Sequence, residues 1–406
     1  MNQFDPLLRW RAEFPILDTC TYLISNSLGA MPRGVYDHLQ RYADTWATLG
    51  VRAWGKPHED HPTWWKLNNA VGDKIAPLMG APAGSVLVHQ NASIANSILF
   101  SALDFDDPKR DKVVITDMDF PSDVYVLRRW LPEHMQIQMI QSQDGMTIDT
   151  GEILNAIDER TRLVSISHVL FRSAYIMPAK AIVEKAHKVG AQVVLNGYHS
   201  IGVIPVDVTD MGVDFYIGGV LKWLCGGPGG VFMYVRPDLL PTLTPQVTGW
   251  FAHKQPFSFD VEHFDLREDA YRLMNGTPGI ASLYAIQPGV DIIAEVGVDA
   301  IRSKSIRQTT RLIELADAAG YTVNSPRDSA TRAGTVTIRP GDHAYAISRE
   351  LLARDFVIDY REGAGIRVAP HFYNSDAEVE AVITTISDII ADESWTQHDQ
   401  GRDFVT

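Results

Sequence analysis

One lysine stands between an apolar segment and a glycine-rich turn. Residues 215–221 are apolar or glycine, Lys222 follows them, and Gly226-Gly-Pro-Gly-Gly230 leads into a second apolar run. Apolar surroundings lower the pKa of an amine and make it a nucleophile, and such lysines form Schiff bases with carbonyl substrates or with pyridoxal phosphate. From this stretch alone, a surface lysine beside a tight turn is an equally good interpretation.

Small polar residues and an aromatic ring follow two earlier apolar runs. Gln90-Asn-Ala92-Ser93 opens a helical pattern, and free backbone amides at a helix N-terminus, with a serine hydroxyl, suit a phosphate. The signal is weak alone, because any helix needs a cap. The next run ends near Phe120 and Asp123, which places a ring and a carboxylate at one edge. Phe120 could stack on a planar cofactor, although a buried core phenylalanine is the commoner case.

A later run ends at Asn196, and His199 follows three residues on. This spacing can bring both side chains around one planar ring, and Lys222 comes after the next apolar run. Four features therefore each follow a predicted strand. They are backbone amides that suit a phosphate, an aromatic ring, a polar partner for a ring nitrogen, and a lysine. Together they form a constellation that is far more specific than any one of its members.

Apolar runs alternate with helical patterns from residue 86 onward. The runs lie at 86–89, 113–116, 163–166, 193–195, 214–218 and 231–235, and the helical patterns lie near 92–104, 122–131, 151–158 and 178–189. This alternation predicts a mainly parallel sheet with helices on both faces and with ligands at the carboxyl ends of its strands. Further helices are expected at about 33–48 and 289–310.

The segment 51–65 combines tryptophans and histidines with prolines and charges. It contains Trp54, His58, His61 and Trp64, and this composition suits the rim of a ligand pocket. A loop that anchors itself with tryptophans is an equally good interpretation. His58 and His61 lie three residues apart, but no third ligand is evident nearby, so we expect no metal site.

Composition excludes several other classes of function. The 406 residues carry a formal net charge of −14 and no basic run, which argues against a nucleic-acid surface. Cys20 and Cys225 offer neither a disulfide framework nor a zinc cluster, which fits a reducing compartment. No stretch approaches a membrane span, and the first residues do not resemble a signal peptide. We therefore expect a cytoplasmic protein.

The order of these motifs resembles the kynureninases, which belong to the class V branch of fold-type I pyridoxal-phosphate enzymes. The resemblance covers nearly the whole chain. The segments that carry it are Asn26-Ser-Leu-Gly29, Phe120-Pro-Ser-Asp123, Ser167-His-Val, Arg172-Ser, Gly197-Tyr-His199-Ser, Pro205-Val-Asp207, Lys222 with Gly226-Gly-Pro-Gly229, Gly249-Trp-Phe251, His253, Asn275-Gly-Thr-Pro278, Asp359-Tyr-Arg361 and Gly365-Ile-Arg367.

The resemblance implies the architecture and the roles of individual residues. It implies a large cofactor domain with a mainly parallel seven-stranded sheet over residues 45–290, and a smaller α/β domain from residues 1–44 and 291–406. It also implies a homodimer with shared active sites. Lys222 would bind the cofactor covalently, and Arg367 would bind the carboxylate of a small amino-acid substrate, with Asn26 and His58 as further substrate contacts. The other cofactor contacts would be Ala92, Ser93, Phe120, Asp123, Asn196, His199 and, from the other subunit, Trp250 and Thr277.

Three positions near the reacting atoms depart from the family. The family has an aspartate at position 196, whose carboxylate keeps the pyridine nitrogen protonated, and an asparagine cannot form that ion pair. Leu221 replaces a tyrosine that contributes to the phosphate site and to proton transfer, and Leu170 stands where relatives often have a polar residue. These changes suggest that the substrate is not simply kynurenine.

We therefore expect an enzyme that acts on an α-amino acid through an external aldimine, with Lys222 as the general base, and that cleaves a bond at the side-chain Cβ. A class V aminotransferase or a C–S lyase on the same fold is the alternative. A homologue that binds the cofactor but has impaired catalysis is a further alternative, and Asn196 is the residue that favours it.

Overall fold

A computed structural model describes residues 5–398 and contains one large sheet, one smaller sheet and a two-stranded pair. Buried strands here carry apolar residues at nearly every position, as expected where helices cover both faces of a sheet. The strands are β1 Thr21–Tyr22, β2 Val86–His89, β3 Lys112–Thr116, β4 Gln136–Ile140, β5 Thr161–Ser167, β6 Gln192–Asn196, β7 Phe215–Gly219, β8 Val231–Val235, β9 Thr322–Val323, β10 Val336–Arg339, β11 Phe356–Val357, β12 Asp359–Arg361 and β13 Gly365–Val368.

The large sheet has the strand order β2-β8-β7-β6-β5-β3-β4, and only β8 runs against its neighbours. Successive side chains of each strand point to opposite faces. In β6, for example, Val193 and Leu195 belong to one buried apolar cluster and Val194 to another. The prediction of a mainly parallel seven-stranded sheet is confirmed, and its parallel strands end together on one edge.

Helices cover both faces of this sheet. Ile98 and Leu99 in the helix Ala92–Ala102 pack on one face, whereas Ile182 and Val183 in the helix Ala179–Lys188 pack on the other. The helices in the described residues are α1 Gly34–Leu49, α2 Trp64–Ile75, α3 Ala92–Ala102, α4 Pro121–Trp130, α5 Thr150–Ala156, α6 Ala179–Lys188, α7 Val208–Met211, α8 Ile280–Ala285, α9 Gln287–Val296, α10 Val298–Ala318, α11 Ala344–Ala353 and α12 Asp376–Ala391.

The smaller sheet is antiparallel, with the order β12-β13-β10-β9. Helix α12 packs on it and begins with a capping box, in which Ser375 and Glu378 each bind the other's backbone amide. The N-terminal segment joins this part of the chain, because β1 pairs with β11 and Ile24 forms a further bridge with Ala369. Chain segments from both ends therefore pack together.

Two details differ from the sequence-based expectations. Strand β4 was not predicted, because it lies at the edge of the sheet and Gln136 and Gln138 interrupt its apolar residues. The single helix expected over 289–310 is wrong: α9 ends at Val296, and α10 starts at Val298. Gly297 between them has φ = 82°, a left-handed value that breaks the helix.

The expected domain boundaries at 44–45 and 290–291 stay a prediction. Residues 1–4 and 399–406 of the expected smaller domain lie outside the described residues. Within residues 5–398, no helix has the length and apolar character needed to cross a membrane.

Candidate active site

A cavity of about 340 Å³ lies where the parallel strands of the large sheet end and the N-terminal segment crosses over them. It brings together residues that are far apart in the sequence. Nine residues predicted for the site line this cavity: Asn26, Ala92, Ser93, Phe120, Asp123, Asn196, His199, Lys222 and Arg367.

Lys222 follows β7 in a turn that packs tightly against the N-terminal segment. The amide of Gly29 donates a hydrogen bond to the Leu221 carbonyl oxygen (2.8 Å). A Cβ on Gly29 would collide with the carbonyl oxygen of Lys222 and would lie 3.0 Å from Cys225 Sγ. Only a glycine therefore allows this segment to approach the lysine turn so closely.

The Lys222 amine has the properties of a nucleophile. Its Nζ lies 2.6 Å from His199 Nε2. Burial, followed by the positive charge of Arg367, lowers the pKa of Lys222 well below 10.5. Burial likewise lowers the pKa of His199 well below 6.5, and the positive charge of Lys222 adds to the effect. A neutral imidazole can accept a hydrogen bond from the amine through Nε2.

The N-terminus of α3 faces the same cavity. The Asn91 side chain accepts a hydrogen bond from the Ile94 amide and caps the helix. The amides of Ala92 and Ser93 precede the first intrahelical hydrogen bonds and have no acceptor within α3. With the Ser93 hydroxyl and the positive end of the helix dipole, they can bind an anion such as a phosphate.

Two aromatic rings flank the lysine. Lys222 Nζ lies 5.9 Å from the centroid of the Phe120 ring and 5.4 Å from that of Tyr198. Phe120 is 43% exposed although Phe171 packs edge-on against it. An aromatic face left open inside a cavity suits a planar ligand better than a role in the core.

Arg367 is buried and is held by hydrogen bonds from three of its nitrogens. Its Nε donates to Asp359 Oδ1 (2.8 Å), Nη2 donates to Asp359 Oδ2, and Nη1 donates to the Phe171 carbonyl oxygen (2.7 Å). A guanidinium has five N–H groups, so one hydrogen on each terminal nitrogen has no bond among the described residues. The guanidinium therefore keeps an open fork, defined here as the free N–H groups of its two terminal nitrogens, that can donate to a carboxylate. Arg361 also lines the cavity and pairs with Asp359 (2.9 Å).

Asn26 is fully buried, and neither its Oδ1 nor its Nδ2 has a partner among the described residues. An unpaired buried amide costs free energy unless a ligand or water satisfies it. Because Asn26 lines the cavity together with Arg367, its amide is available to a polar ligand there.

Asp123 and Asn196 contact each other at the end of β6. Asn196 Nδ2 donates to Asp123 Oδ2 (2.5 Å), and Asn96 Nδ2 donates to Asp123 Oδ1 (2.8 Å). The Tyr198 amide donates to Asn196 Oδ1 (2.9 Å). Burial raises the pKa of Asp123, and the two amide hydrogen bonds oppose this effect.

Three predicted site residues do not line this cavity within one chain. Trp250 is 38% exposed and packs against Trp65, and Thr277 is exposed. His58 lies beside α1, where its Nδ1 is 3.2 Å from Thr45 Oγ1. The roles predicted for these residues stay predictions. Leu170 is fully buried in the core, so this departure from the family does not alter the cavity wall.

Some residues of the site were not singled out from the sequence. Asp359 and Arg361 belong to a motif that carried the family resemblance, but their pairing with Arg367 depends on the register of β12 and β13. Asn96 lies four residues after Ala92, on the face of α3 that meets Asp123. Tyr198 stands between Asn196 and His199 and belongs to the segment Gly197-Tyr-His199-Ser that carried the family resemblance. Among residues 5–398, no group of three acidic, histidine or cysteine side chains could hold a metal ion.

Solved structures with the same fold include a cysteine desulfurase and a cystine C–S lyase. A cysteine desulfurase from Thermococcus onnurineus NA1 superposes with a TM-score of 0.83 at 20% identity, over 96% of this chain and 99% of the other. A complex of the cystine C–S lyase C-DES with cysteine persulfide gives a TM-score of 0.81 at 17% identity, over 92% and 99%. The fold is therefore that of fold-type I pyridoxal-phosphate enzymes.

The chain belongs to the aminotransferase class-V family, which matches residues 21–382. The kynureninase of Geobacillus thermodenitrificans is 30% identical over all of this chain and 96% of that protein. The kynureninase of Shouchella clausii is 31% identical over the same shares. The kynureninase of Pseudomonas fluorescens is 29% identical over 97% of this chain and 94% of its own length. The predicted family and cofactor, pyridoxal 5′-phosphate, are confirmed.

The cavity also fits this cofactor on chemical grounds. Free amides at the start of α3 suit its phosphate, and the amine of Lys222 has a lowered pKa and can condense with its aldehyde. The unpartnered amide of Asn26 and the open fork of Arg367 leave polar groups for an amino acid beside it. The site thus has separate groups for the cofactor and for a substrate.

Proposed function

We propose that this protein is a pyridoxal-phosphate enzyme that cleaves a bond at the side-chain Cβ of an α-amino acid, with hydrolytic Cβ–Cγ cleavage as in kynureninase. One observation carries the proposal: a Lys222 amine with a lowered pKa shares a cavity with the open guanidinium fork of Arg367. The relatives named kynureninase, which align over the whole chain, support the choice of reaction.

The chain's own residues have distinct roles in this proposal. Pyridoxal phosphate, when bound, supplies an aldehyde that condenses with amines and a ring that accepts electron density. Ala92 and Ser93 would hold its phosphate, and Phe120 would lie beside its ring. Lys222 would provide the amine that holds the cofactor and would take the proton from the substrate Cα as general base. His199, 2.6 Å away, orients the amine of Lys222.

The substrate carboxylate binds to Arg367 in this proposal. Asp359 occupies one edge of the guanidinium, and Arg367 lines the cavity with its remaining N–H groups available to donate. Asn26 donates a further hydrogen bond, which would satisfy its unpartnered amide. Planar two-point binding of a carboxylate suits arginine better than lysine.

A second candidate reaction is C–S cleavage or transamination of a specialised amino acid. Leu221, which lines the cavity where the family has a tyrosine, favours this candidate, because leucine cannot donate or accept a proton. Asn196 in place of the aspartate favours a further candidate, a cofactor-binding homologue with impaired catalysis. The substitution Asn196→Asp separates these cases: a large gain in turnover would indicate an impaired enzyme.

Two copies of the chain share their active sites in our proposal. Trp250 and Thr277 do not line the cavity of their own chain, so the partner copy would supply them to the phosphate site. The segment around Trp250 supports this, because Phe257, Phe259 and Val261 are 63%, 74% and 96% exposed. Exposed apolar surface of this kind is typical of protein interfaces.

The proposed location is the cytoplasm. Cys20 and Cys225 are both free thiols, and Cys225 is buried. A chain without disulfides suits a reducing compartment.

The reaction is tested with the purified protein loaded with pyridoxal phosphate. We would record its visible absorption and the fluorescence of anthranilate after adding L-kynurenine, with the Lys222→Ala variant as control. Anthranilate release by the unmodified protein alone would support kynureninase activity. A cofactor band without anthranilate would direct the search to other amino acids, starting with cysteine conjugates and pyruvate release. If no cofactor band forms, the proposed role of Lys222 is wrong.

Shared sites are tested with hybrid dimers. The Lys222→Ala and Trp250→Ala variants are mixed after dissociation and reassembly. Each hybrid would contain one complete site, so activity should recover to about one quarter of the unmodified value after random mixing. If each site belongs to one chain, mixing restores nothing.

A further inference from the structure

We propose that Asp123 supplies, through the amide of Asn196, the negative charge that keeps the cofactor's ring nitrogen protonated. This inference rests on the proposed function, in which Asn196 meets the ring nitrogen. It makes Asp123 a positioning and charge-bearing residue behind Asn196, and it explains how the site can work without an aspartate at position 196.

Asp123 is a partly buried carboxylate on the cavity wall, and its two direct side-chain partners are neutral. Each of its oxygens accepts one hydrogen bond from an amide, Oδ1 from Asn96 and Oδ2 from Asn196. Neutral donors stabilise a negative charge but do not cancel it. A partly buried carboxylate of this kind is stabilised further when a cation comes close.

None of the positively charged groups that line the cavity forms a direct ion pair with Asp123 among the described residues. Arg361 and Arg367 both pair with Asp359. The lowered pKa of Lys222 favours its neutral amine. A protonated ring nitrogen next to Asn196 would therefore be the cation nearest to the Asp123 carboxylate that has no other acidic partner.

A second carboxylate lies on the far side of Asp123. Asp119 shares a small internal space with Asp123 and Asn196, and its oxygens accept hydrogen bonds from the amides of Thr116 (2.8 Å) and Ser167 (2.6 Å). Burial raises the pKa of Asp119 to about 6. An ionised carboxylate on this side of Asn196 makes the potential at its amide more negative, which favours a protonated nitrogen there.

Two contacts fix which way the Asn196 amide points. An ionised carboxylate only accepts hydrogen bonds, so Asp123 holds the Nδ2 end of the amide toward itself. The Tyr198 amide donates to Oδ1 and selects the same orientation. Oδ1 keeps a second lone pair, which can accept a hydrogen bond from a protonated ring nitrogen. A flipped amide would place Oδ1 against the carboxylate and Nδ2 against an N–H group.

The protonation state is measured directly with cofactor that carries ¹⁵N in its ring. Solid-state ¹⁵N spectra would be recorded for the loaded unmodified protein, Asp123→Asn, Asn196→Asp and the double variant that exchanges the two side chains. The unmodified protein should show a protonated nitrogen, and Asp123→Asn an unprotonated one. The exchanged variant should return to the protonated state, because it moves the carboxylate to position 196 and keeps the amide.

Turnover provides the second readout. We expect kcat to fall on the order of a hundredfold in Asp123→Asn, the size typical for the loss of one charge-stabilising group. The exchanged variant should recover most of this loss. If Asp123→Asn fails to fold, the ¹⁵N spectrum of the unmodified protein still tests the inference. An unprotonated ring nitrogen in that spectrum would overturn it.

The outcomes separate this inference from the proposed function. Failure of the unmodified protein to form a cofactor band would overturn both. A normal cofactor band with a ring nitrogen that stays protonated in Asp123→Asn would overturn only the role of Asp123.

Discussion

Asp359 and Arg367 face each other on the adjacent antiparallel strands β12 and β13 and form a buried two-point ion pair. The pair occupies one edge of the guanidinium, Nη1 also donates to the Phe171 carbonyl oxygen, and one N–H of each terminal nitrogen has no bond among the described residues. The pairing of two short strands thus determines the direction in which a substrate carboxylate can bind.

We expect Asp359→Asn to weaken binding of the amino acid and to destabilise the fold. The substitution keeps the shape of the side chain but leaves Arg367 buried without its counter-charge, which costs about 3–5 kcal/mol in other buried pairs. KM for the amino acid should rise more than kcat falls, because Arg367 loses its orientation. Urea unfolding and steady-state kinetics measure the two effects.

The control for Asp359→Asn is Asp210→Asn. Asp210 pairs with Lys180 on the surface, where both side chains are more than half exposed. Exposed pairs contribute little to stability, so this variant should behave like the unmodified protein. Equal KM values for Asp359→Asn and Asp210→Asn would show that Arg367 does not need the pair.

We expect Asn26→Leu to impair substrate binding without a loss of stability. Neither amide atom of Asn26 has a partner within residues 5–398, so an apolar side chain of similar size removes an unsatisfied group. The free energy of unfolding should stay the same or rise, whereas KM should increase by about tenfold, the value of one hydrogen bond to a charged group.

Asn68→Leu is the matched control for Asn26→Leu. Asn68 is also buried, but it donates to the Val88 carbonyl oxygen (2.6 Å) and accepts from the Val88 amide (3.1 Å). Its loss should cost stability, because two backbone groups lose their partner. If both variants unfold equally easily, Asn26 has a structural role instead.

We expect Gly29→Ala to disturb the lysine turn. The added methyl group would collide with the Lys222 carbonyl oxygen, and overpacking of this kind costs typically about 1–3 kcal/mol. The visible band of the bound cofactor should weaken or shift. Gly55→Ala is the control, since Gly55 has φ = −115° and open space around it. A Gly29→Ala protein with normal absorption and stability would contradict the close packing.

Cofactor uptake should depend on pH as expected for a lysine with a lowered pKa. The neutral amine attacks the aldehyde, and burial favours the neutral form, so protonation of Lys222 begins only below its lowered pKa. The rate of cofactor capture should stay level at pH values well below 10.5 and should fall only where Lys222 becomes protonated. A stopped-flow series on cofactor-free protein measures it. A rate that climbs about tenfold per pH unit toward the ordinary lysine range would contradict the lowered pKa.

The sequence was informative where a local pattern decides the structure. Lys222, Ala92, Ser93 and Phe120 each follow an apolar run, and strands of one parallel sheet bring such residues to one edge. It could be predicted that these residues meet at one edge, because this requires only that each of them follows a strand of the same parallel sheet. The lysine turn and the start of α3 lie where the pattern placed them.

Features that depend on strand register or on one backbone angle could not be predicted. The pairing of Asp359 with Arg367 requires the alignment of β12 with β13, and the contact of Asn96 with Asp123 requires the packing of α3 on α4. The break at Gly297 follows from a positive φ angle that a glycine permits but does not require.

The pairing of β1 with β11 has a consequence for synthesis of the protein. Asn26 leaves the ribosome early and Arg367 leaves it late, yet both face the same cavity. The strands that precede the start of α3 and Lys222 are synthesised before Arg367. During synthesis, the residues that bind the cofactor can therefore come together first. The site for the substrate carboxylate forms only when the last strands pack against the N-terminal segment.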